Sequence, residues 1–390
     1  MLMPLQHNLT ALPPLSLYIH IPWCVKKCPY CDFNSHTARD AIPEQRYIEA
    51  LTRDLESALP LIWGRNIHSI FFGGGTPSLF SGEGIDNILT TVRSLLKLDF
   101  FAEVTLEANP GTVEANKFQE FKSAGINRLS LGIQSFNPAH LSALGRIHND
   151  RDAHNAIGIA KDNFDNFNLD LMYALPNQTL LQAQQDLNTA LSYTPPHLSC
   201  YHLTLEPNTP FLHHPPSLPD DDLSADMQVM IETTLVTANY LHYETSAFAQ
   251  PHRKAKHNLN YWQFGDYLGI GAGAHSKLSF HNRMIRQMRH KLPREYMDHA
   301  LVGNPVQTEH EISTSDRSFE FMMNALRLTN GFDLSLFSER TGLPITAIHK
   351  QLELAEAQQL ITRDHIHVTP TLHGQRFLND LLGLFLTSST

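Results

Sequence analysis

From residue 16 to about residue 206, short β-rich runs alternate with helical stretches. This alternation constrains the fold more than any other feature, because it specifies parallel strands joined by crossover helices. The runs are Ser16 to Pro22, His68 to Gly74, Glu103 to Asn109, Arg128 to Gln134, Phe167 to Tyr173 and Leu198 to Glu206. Six such units predict an α/β fold, a partial (β/α)6 TIM-like barrel. In barrels of this kind the chemistry gathers at the C-terminal ends of the strands. The runs close on Cys24, on Gly73-Gly74-Gly75-Thr76-Pro77, on Glu107-Ala108-Asn109-Pro110, on Gln134-Ser135, on Asp170 and Tyr173, and on Glu206-Pro207. Each places a polar or flexible group over one mouth.

A chain of 390 residues exceeds one compact core, so a second, smaller domain is expected. The pattern divides into an N-terminal extension (1–15), the barrel (16–240), a connecting region (241–310) and a C-terminal domain (311–390). His213 to Asp222, rich in Pro and Asp, reads as an exposed loop before a helical stretch ending near Asn239. In the last segment, helices are expected over Ser315 to Leu328, Asp333 to Arg340 and Ile345 to Leu360. A strand pair follows around Ile361 to Val368, then a final helix from Thr371, giving a small helical, winged-helix-like domain. It has no basic face, so a lid or partner-docking role is expected rather than DNA binding.

The chain carries 29 basic and 39 acidic residues, net charge −10, and its densest basic stretch is Arg253-Lys254 followed by Lys256. That balance argues against a nucleic-acid partner. No run approaches the ~18 apolar residues of a membrane span, and the opening MLMPLQHNLTALPP lacks the basic start and apolar core of a signal peptide. A cytoplasmic location is expected.

Three of the four cysteines fall in one short stretch, Cys24-Val-Lys-Lys-Cys28-Pro-Tyr-Cys31, directly after the first run. So few cysteines so unevenly placed do not make a disulfide framework; they indicate metal ligation in a reducing compartment, with Cys200 a separate, buried, apolar-like residue. Three thiolates on one loop can reach three corners of a cubane 4Fe-4S cluster. Structural zinc wants four ligands, normally as two separated pairs, and no second pair exists; a Cys3His site completed by His20 or His36 is the alternative. With three protein ligands one iron keeps an exchangeable position, which the amino and carboxylate groups of S-adenosylmethionine can chelate. Gly73-Gly74-Gly75-Thr76-Pro77 allows close approach of backbone to a ligand and exposes N–H groups, although such a turn is most often only a turn. It matches neither the P-loop nor the GxGxxG pattern, so phosphate binding is disfavoured.

The Cys loop, preceded by Tyr18-Ile-His20-Ile-Pro22-Trp23 and followed one βα unit later by Gly-Gly-Gly-Thr-Pro, resembles the radical S-adenosylmethionine superfamily. More narrowly it resembles the coproporphyrinogen III dehydrogenase-like group. The resemblance continues through Glu107-Ala-Asn-Pro, Gly132-Ile-Gln134-Ser-Phe, Gly145-Arg146, Asp170-Leu-Met-Tyr173 and Gly269-Ile-Gly-Ala-Gly-Ala-His275-Ser276, most of the chain. It implies that Tyr18 and Gly74 contact a cluster-bound S-adenosylmethionine and that Glu107 engages its charged amino acid end, carboxylate against ammonium. It also implies that Tyr30, Gly75, Thr76, Gln134, Arg146 and Asp170 line a second, substrate-side pocket, where another S-adenosylmethionine sits in the dehydrogenase. Taken singly, Glu107 or Asp170 reads equally as a helix cap, Gln134 as a strand-end hydrogen bonder and Arg146 as a surface ion pair.

The dehydrogenase pattern places another cysteine two positions after the third cluster cysteine, where this chain has Asp32 and Phe33. Instead the chain carries His257-Asn258-Leu-Asn-Tyr261-Trp262, which resembles the HNxxYW motif of the group's haem-chaperone branch. His257 can ligate haem iron while Tyr261 and Trp262 pack on a porphyrin face. The same residues can equally satisfy backbone groups and fill a core. Among 23 histidines, His252 and His275 are rival ligands. The resemblance therefore implies a haem chaperone with a 4Fe-4S cluster, S-adenosylmethionine and haem as its bound groups. Cluster and cosubstrate would gate transfer to haem-acceptor proteins or peripheral association with a membrane, with little or no porphyrinogen decarboxylation. The alternatives are an oxygen-independent coproporphyrinogen III dehydrogenase, whose deoxyadenosyl radical abstracts hydrogen from propionate side chains, and a radical enzyme acting on another substrate.

Overall fold

The structure, a computed structural model, describes residues 9–112 and 115–386. Residues 1–8 of the expected N-terminal extension lie outside the described residues. Six strands pair in sequence order and in parallel: β1 (Leu15–Ile21), β2 (Asn66–Gly74), β3 (Lys97–Ala108), β4 (Arg128–Gln134), β5 (Phe167–Tyr173) and β6 (His197–His202). β4 and β5 occupy the expected residues, β3 begins earlier, and β6 stops at His202 rather than Glu206. Crossover helices, among them Glu44–Ile62, Gly82–Leu95, Asp150–Asn163 and Leu180–Ser192, make the parallel pairing reachable. Side chains fix where they start: Ser81, Asn149 and Thr179 accept from the backbone N–H of Gly84, Asp152 and Gln182, the last two as capping boxes.

Successive strand residues face opposite sides of the sheet. One set, including Leu17, Ile19, Ile70, Phe72, Leu106, Leu129 and Leu169, is buried in a common core with Tyr47, Leu51 and Leu55 of helix Glu44–Ile62. The other set is polar and bonded across the barrel interior. Ser16 Oγ lies 2.8 Å from Ser69 Oγ, Asn168 Nδ2 donates to Ser130 Oγ at 2.8 Å, and Ser199 Oγ donates to Asn168 Oδ1 at 3.1 Å. A polar interior suits an open barrel that holds ligands rather than a closed one packed with branched side chains.

The largest departure from expectation is residues 241–310, read as a connecting region but built into the same sheet. They form β7 (Leu241–Glu244), β8 (Ala247–Ala249), β9 (Asp266–Ile270), β10 (His275–Ser279) and β11 (Met284–Arg289), with β12 (Val306–Glu311) closing the series. Among the described residues the sheet has twelve strands, ordered β12-β11-β10-β9-β1-β2-β3-β4-β5-β6-β8-β7. β9 lies parallel to β1, and the other additions are antiparallel. Between β8 and β9 the helix Lys256–Trp262 lies against β2 on the polar inner face, where His257 meets Ser69.

The C-terminal unit begins with helix Thr314–Ala325, capped by Ser313, and continues with Leu334–Thr341 and His349–Ala357. The helix expected over Ile345 to Leu360 divides into a 3-10 turn, Ile345–Ile348, and His349–Ala357, and the last helix divides into Leu372–Arg376 and Leu378–Gly383. A short strand, Phe332–Asp333, joins Ile361–Arg363 and His367–Pro370 in an antiparallel sheet that the sequence suggested only as a pair. The expected loop after residue 213 is short, because helix Pro210–His213 precedes it and Asp220 caps helix Asp221–Thr237.

Candidate functional site

A two-residue strand, Trp23–Cys24, pairs with His36–Thr37 and closes the loop that carries Cys28 and Cys31. The glycine loop after β2 docks on it: Gly75 N–H donates to the Ile21 carbonyl at 2.8 Å and Thr76 N–H to the Trp23 carbonyl at 2.7 Å. A Cβ at Gly75 would stand 2.5 Å from the Trp23 carbonyl oxygen, and one at Gly74, whose φ is +115°, would stand 2.5 Å from the His20 ring. The glycines thus let two loops touch. Their N–H groups are spent on that contact and, for Gly74, on Glu107 Oε2 at 3.2 Å, rather than left open for a ligand as the sequence suggested.

Cys24, Cys28 and Cys31 line one cavity of about 740 Å³ together with Tyr30, Gly74, Gly75, Thr76, Glu107, Gln134, Arg146 and Asp170. Tyr18 lies in an adjoining cavity of about 680 Å³ that shares Cys31, Gly74 and Glu107 with the first. Residues scattered over the sequence from position 18 to 170 therefore meet at the C-terminal mouth of the parallel strands. His257 lines neither cavity.

The electrostatics explain several placements. Burial, reinforced by Asp170, pushes the Glu107 carboxyl up to about 8, so it is held largely as the neutral acid until a cation faces it. Burial also raises Asp170, which accepts from Ser130 Oγ at 3.0 Å and Asn168 Nδ2 at 2.8 Å. Neither carboxyl caps a helix; both sit within strands. Arg146 is fixed by Nη2 donating to the Gly132 carbonyl at 2.7 Å, with Nη1 3.8 Å from Cys28 Sγ, so it stands beside the three-cysteine loop and not in a surface ion pair. Gln134 ends β4 at φ +67°, a left-handed backbone that a non-glycine residue adopts at a cost of ~1–3 kcal/mol, at a register shift in the pairing with β5.

Burial raises the Cys24 and Cys31 thiols, so keeping them as thiolates needs compensating positive charge, which a bound metal supplies. Three thiols lining one cavity fit an iron-sulfur cluster. Of the two histidines that could complete a Cys3His zinc site, His36 keeps a buried Nε2 without a hydrogen-bond partner, whereas His20 is already engaged. His20 is committed through Nδ1 to the Tyr18 hydroxyl at 3.0 Å and through Nε2 to the Asn34 carbonyl at 2.8 Å. Among the described residues no three His, Cys, Asp or Glu side chains converge as one ion requires.

His257 is 2% exposed, and burial and Arg128 lower its imidazole to about 3, leaving it neutral. Its Nδ1 lies 2.9 Å from Ser69 Oγ. Sequence reasoning missed Tyr201 and Arg327, which also line the larger cavity. No local signal marks them: Tyr201 stands near the end of a strand like any other, and Arg327 comes from the C-terminal unit, its guanidinium 4.6 Å over the Trp262 ring.

Comparison with known proteins places the chain in a family. The chain matches the Radical SAM superfamily over residues 18–190 and the HemN C-terminal domain over residues 312–377. It is 50% identical over 382 residues to the heme chaperone HemW of Haemophilus influenzae, covering 96% of this chain and 99% of that protein. Against HemW of Escherichia coli the identity is 47% over 377 residues, again with 96% and 99% covered. Among solved structures, coproporphyrinogen III oxidase (HemN) from Escherichia coli, a radical SAM enzyme, matches with a TM-score of 0.82 at 22% identity, covering 96% of this chain and 90% of that one.

Proposed function

The chain belongs to the HemW family of the radical SAM superfamily, and from that premise we propose that it is a cytoplasmic haem chaperone. It binds haem together with a 4Fe-4S cluster and S-adenosylmethionine, and passes the haem to acceptor proteins. The observation that carries this reading is the end-to-end match at 50% identity to a haem chaperone. The likeness to HemN, at 22% identity, speaks for architecture alone. Asp32 and Phe33 add support, since they stand where the dehydrogenase pattern continues with a cysteine.

In this reading Cys24, Cys28 and Cys31 hold three corners of the cluster. The bound cluster supplies one open iron position and an electron. Tyr18 and Gly74 would face the cosubstrate, and Glu107, held by the Gly74 N–H, would offer its carboxyl to the amino acid end. Tyr30, Gly75, Thr76, Gln134, Arg146 and Asp170, which line the same cavity as the cysteines, would make its substrate side, where the anchored Arg146 guanidinium can meet an anionic group. Association with a membrane would be peripheral: among the described residues no helix is long and apolar enough to cross one.

The test is anaerobic reconstitution with iron and sulfide, then haem titration and a coproporphyrinogen assay on the same sample. Stoichiometric haem binding without decarboxylation is the expected result. Conversion of coproporphyrinogen to protoporphyrinogen would place the protein with the dehydrogenases instead.

A further inference from the structure

The helix Lys256–Trp262 carries the HNxxYW motif, and its two ring-bearing positions face different surroundings. His257 is enclosed. Its Nδ1 lies 2.9 Å from Ser69 Oγ, which is 2.8 Å from Ser16 Oγ, and its main-chain N–H donates to Glu103 Oε1 at 3.2 Å. The imidazole packs against Phe71 and Tyr18, with ring centroids 5.0 Å and 6.5 Å away. Nε2, the atom left to reach an iron, is buried without a hydrogen-bond partner. A porphyrin is a broad flat ring, and its iron is reached only by a ligand with open space in front of it. His257 has no such space: it is 2% exposed and lines neither cavity at the barrel mouth.

Tyr261, one turn further along, does meet open space. It lines the cavity of about 680 Å³ alongside Tyr18, Gly74 and Glu107. Its ring lies 5.1 Å from His257 and 4.4 Å from Tyr267, which lines the same cavity. The motif is therefore a packed series in which His257 touches Tyr18 on one side and Tyr261 on the other, both at the cavity wall.

We propose that the HNxxYW helix is the back wall of the S-adenosylmethionine site, with Tyr261 contacting the end of the cosubstrate that extends from the cluster, His257 positioning Tyr18 and Tyr261, and the haem iron taking its ligand elsewhere. The proposal rests on the assignment of Tyr18, Gly74 and Glu107 to the cosubstrate. Adenosine presents a flat aromatic base, and Tyr261 and Tyr267 offer it ring surfaces.

Asparagine separates the two roles of His257, because its carboxamide can replace Nδ1 toward Ser69 but has no imidazole nitrogen for iron. Full-length wild type, His257→Asn, His257→Ala, Tyr261→Phe and Tyr261→Ala would be reconstituted anaerobically. Iron content, equilibrium dialysis of labelled S-adenosylmethionine and haem titration at the Soret band would be measured on each. Both alanine variants are expected to bind S-adenosylmethionine about tenfold more weakly, ~1.4 kcal/mol, with iron content and haem affinity at wild-type level. His257→Asn and Tyr261→Phe are expected to stay within about threefold of wild type, ~0.7 kcal/mol. Loss of the Soret band in His257→Asn with cosubstrate binding intact overturns the proposal, as does unchanged cosubstrate affinity in both alanine variants. Wild-type protein that binds no S-adenosylmethionine overturns the assignment and this proposal together. Wild-type protein that binds no haem defeats the chaperone reading, while the dialysis arm still decides the role of the helix.

Discussion

The four cysteines divide by environment. Cys24, Cys28 and Cys31 sit at the cavity wall, whereas Cys200 is 6% exposed within the barrel core, its thiol pushed up to about 12 by burial and by Asp170. Cys24→Ser, Cys28→Ser and Cys31→Ser should each abolish iron uptake and the brown chromophore on anaerobic reconstitution, and Cys200→Ser should leave both; equal loss at Cys200 would refute a three-cysteine ligand set. Glu107 carries a pH signature. The folded protein holds its proton more tightly than the unfolded chain does, so its stabilising contribution is complete below the ordinary glutamate range and is lost as pH rises through about 8. In cluster-free protein, Glu107→Gln keeps the uncharged shape and should flatten the fall in melting temperature between about pH 5 and about pH 9; a slope unchanged from wild type would remove Glu107 as its source. At this scale the three-cysteine loop was legible because its thiols are near neighbours in the chain. Glu107 and Asp170 were legible only as candidates, since their burial within strands, which separates them from helix caps, arises from the packed barrel.

Elements are held in place by a few buried polar joints. Asp54, fully buried on helix Glu44–Ile62, accepts from Arg289 Nη2 of β11 at 3.0 Å, from the Tyr296 hydroxyl at 2.9 Å and from the Gly271 N–H at 3.1 Å. It thereby ties the first crossover helix to β11, to helix Pro293–Leu301 and to the turn between β9 and β10. Asp54→Ala would leave the Arg289 guanidinium, 1% exposed, without its counter-charge, at an expected cost of ~3–5 kcal/mol in urea unfolding. Replacing both partners by apolar residues of similar volume should recover much of that loss; if the double variant is as unstable as the single one, the joint acts through shape and not charge. The sequence reveals β1 to β6 because their apolar outer faces alternate with polar inner ones. It conceals β7 to β12 because those strands are short or polar: β12, Val-Gln-Thr-Glu-His-Glu, is exposed over most of its length and becomes a strand by pairing with β11. Asp54, an acid in an amphipathic helix, likewise gives no local sign of its burial.

Over the whole molecule, the C-terminal unit is joined to the barrel by shared core as well as by surface ion pairs. Its cluster around Phe321, Phe337 and Val368 takes in Phe264, 2% exposed, and Met284, fully buried, both from the sheet region. Arg376 grips Glu232 of the barrel through two bonds of 2.9 Å and 2.6 Å, and Arg286 of β11 pairs with Glu320 at 2.8 Å. The charge and apolar contributions differ in size. A partly exposed ion pair is worth at most ~1 kcal/mol, so Glu232→Gln should move the unfolding midpoint only slightly. Uncovering Phe264 and Met284 forfeits ~1.5–3 kcal/mol each, a large part of the ~5–15 kcal/mol that holds an ordinary domain folded. The boundary near residue 311, where the composition suggests an appended domain, therefore cuts through one core. A chain ending at residue 311 should lose solubility or bind a hydrophobic dye strongly, and it should lose the cover that Arg327 gives Trp262 on the motif helix. A truncated chain that stays soluble, unfolds cooperatively and takes up iron like the full protein would show instead that the barrel folds without its C-terminal partner.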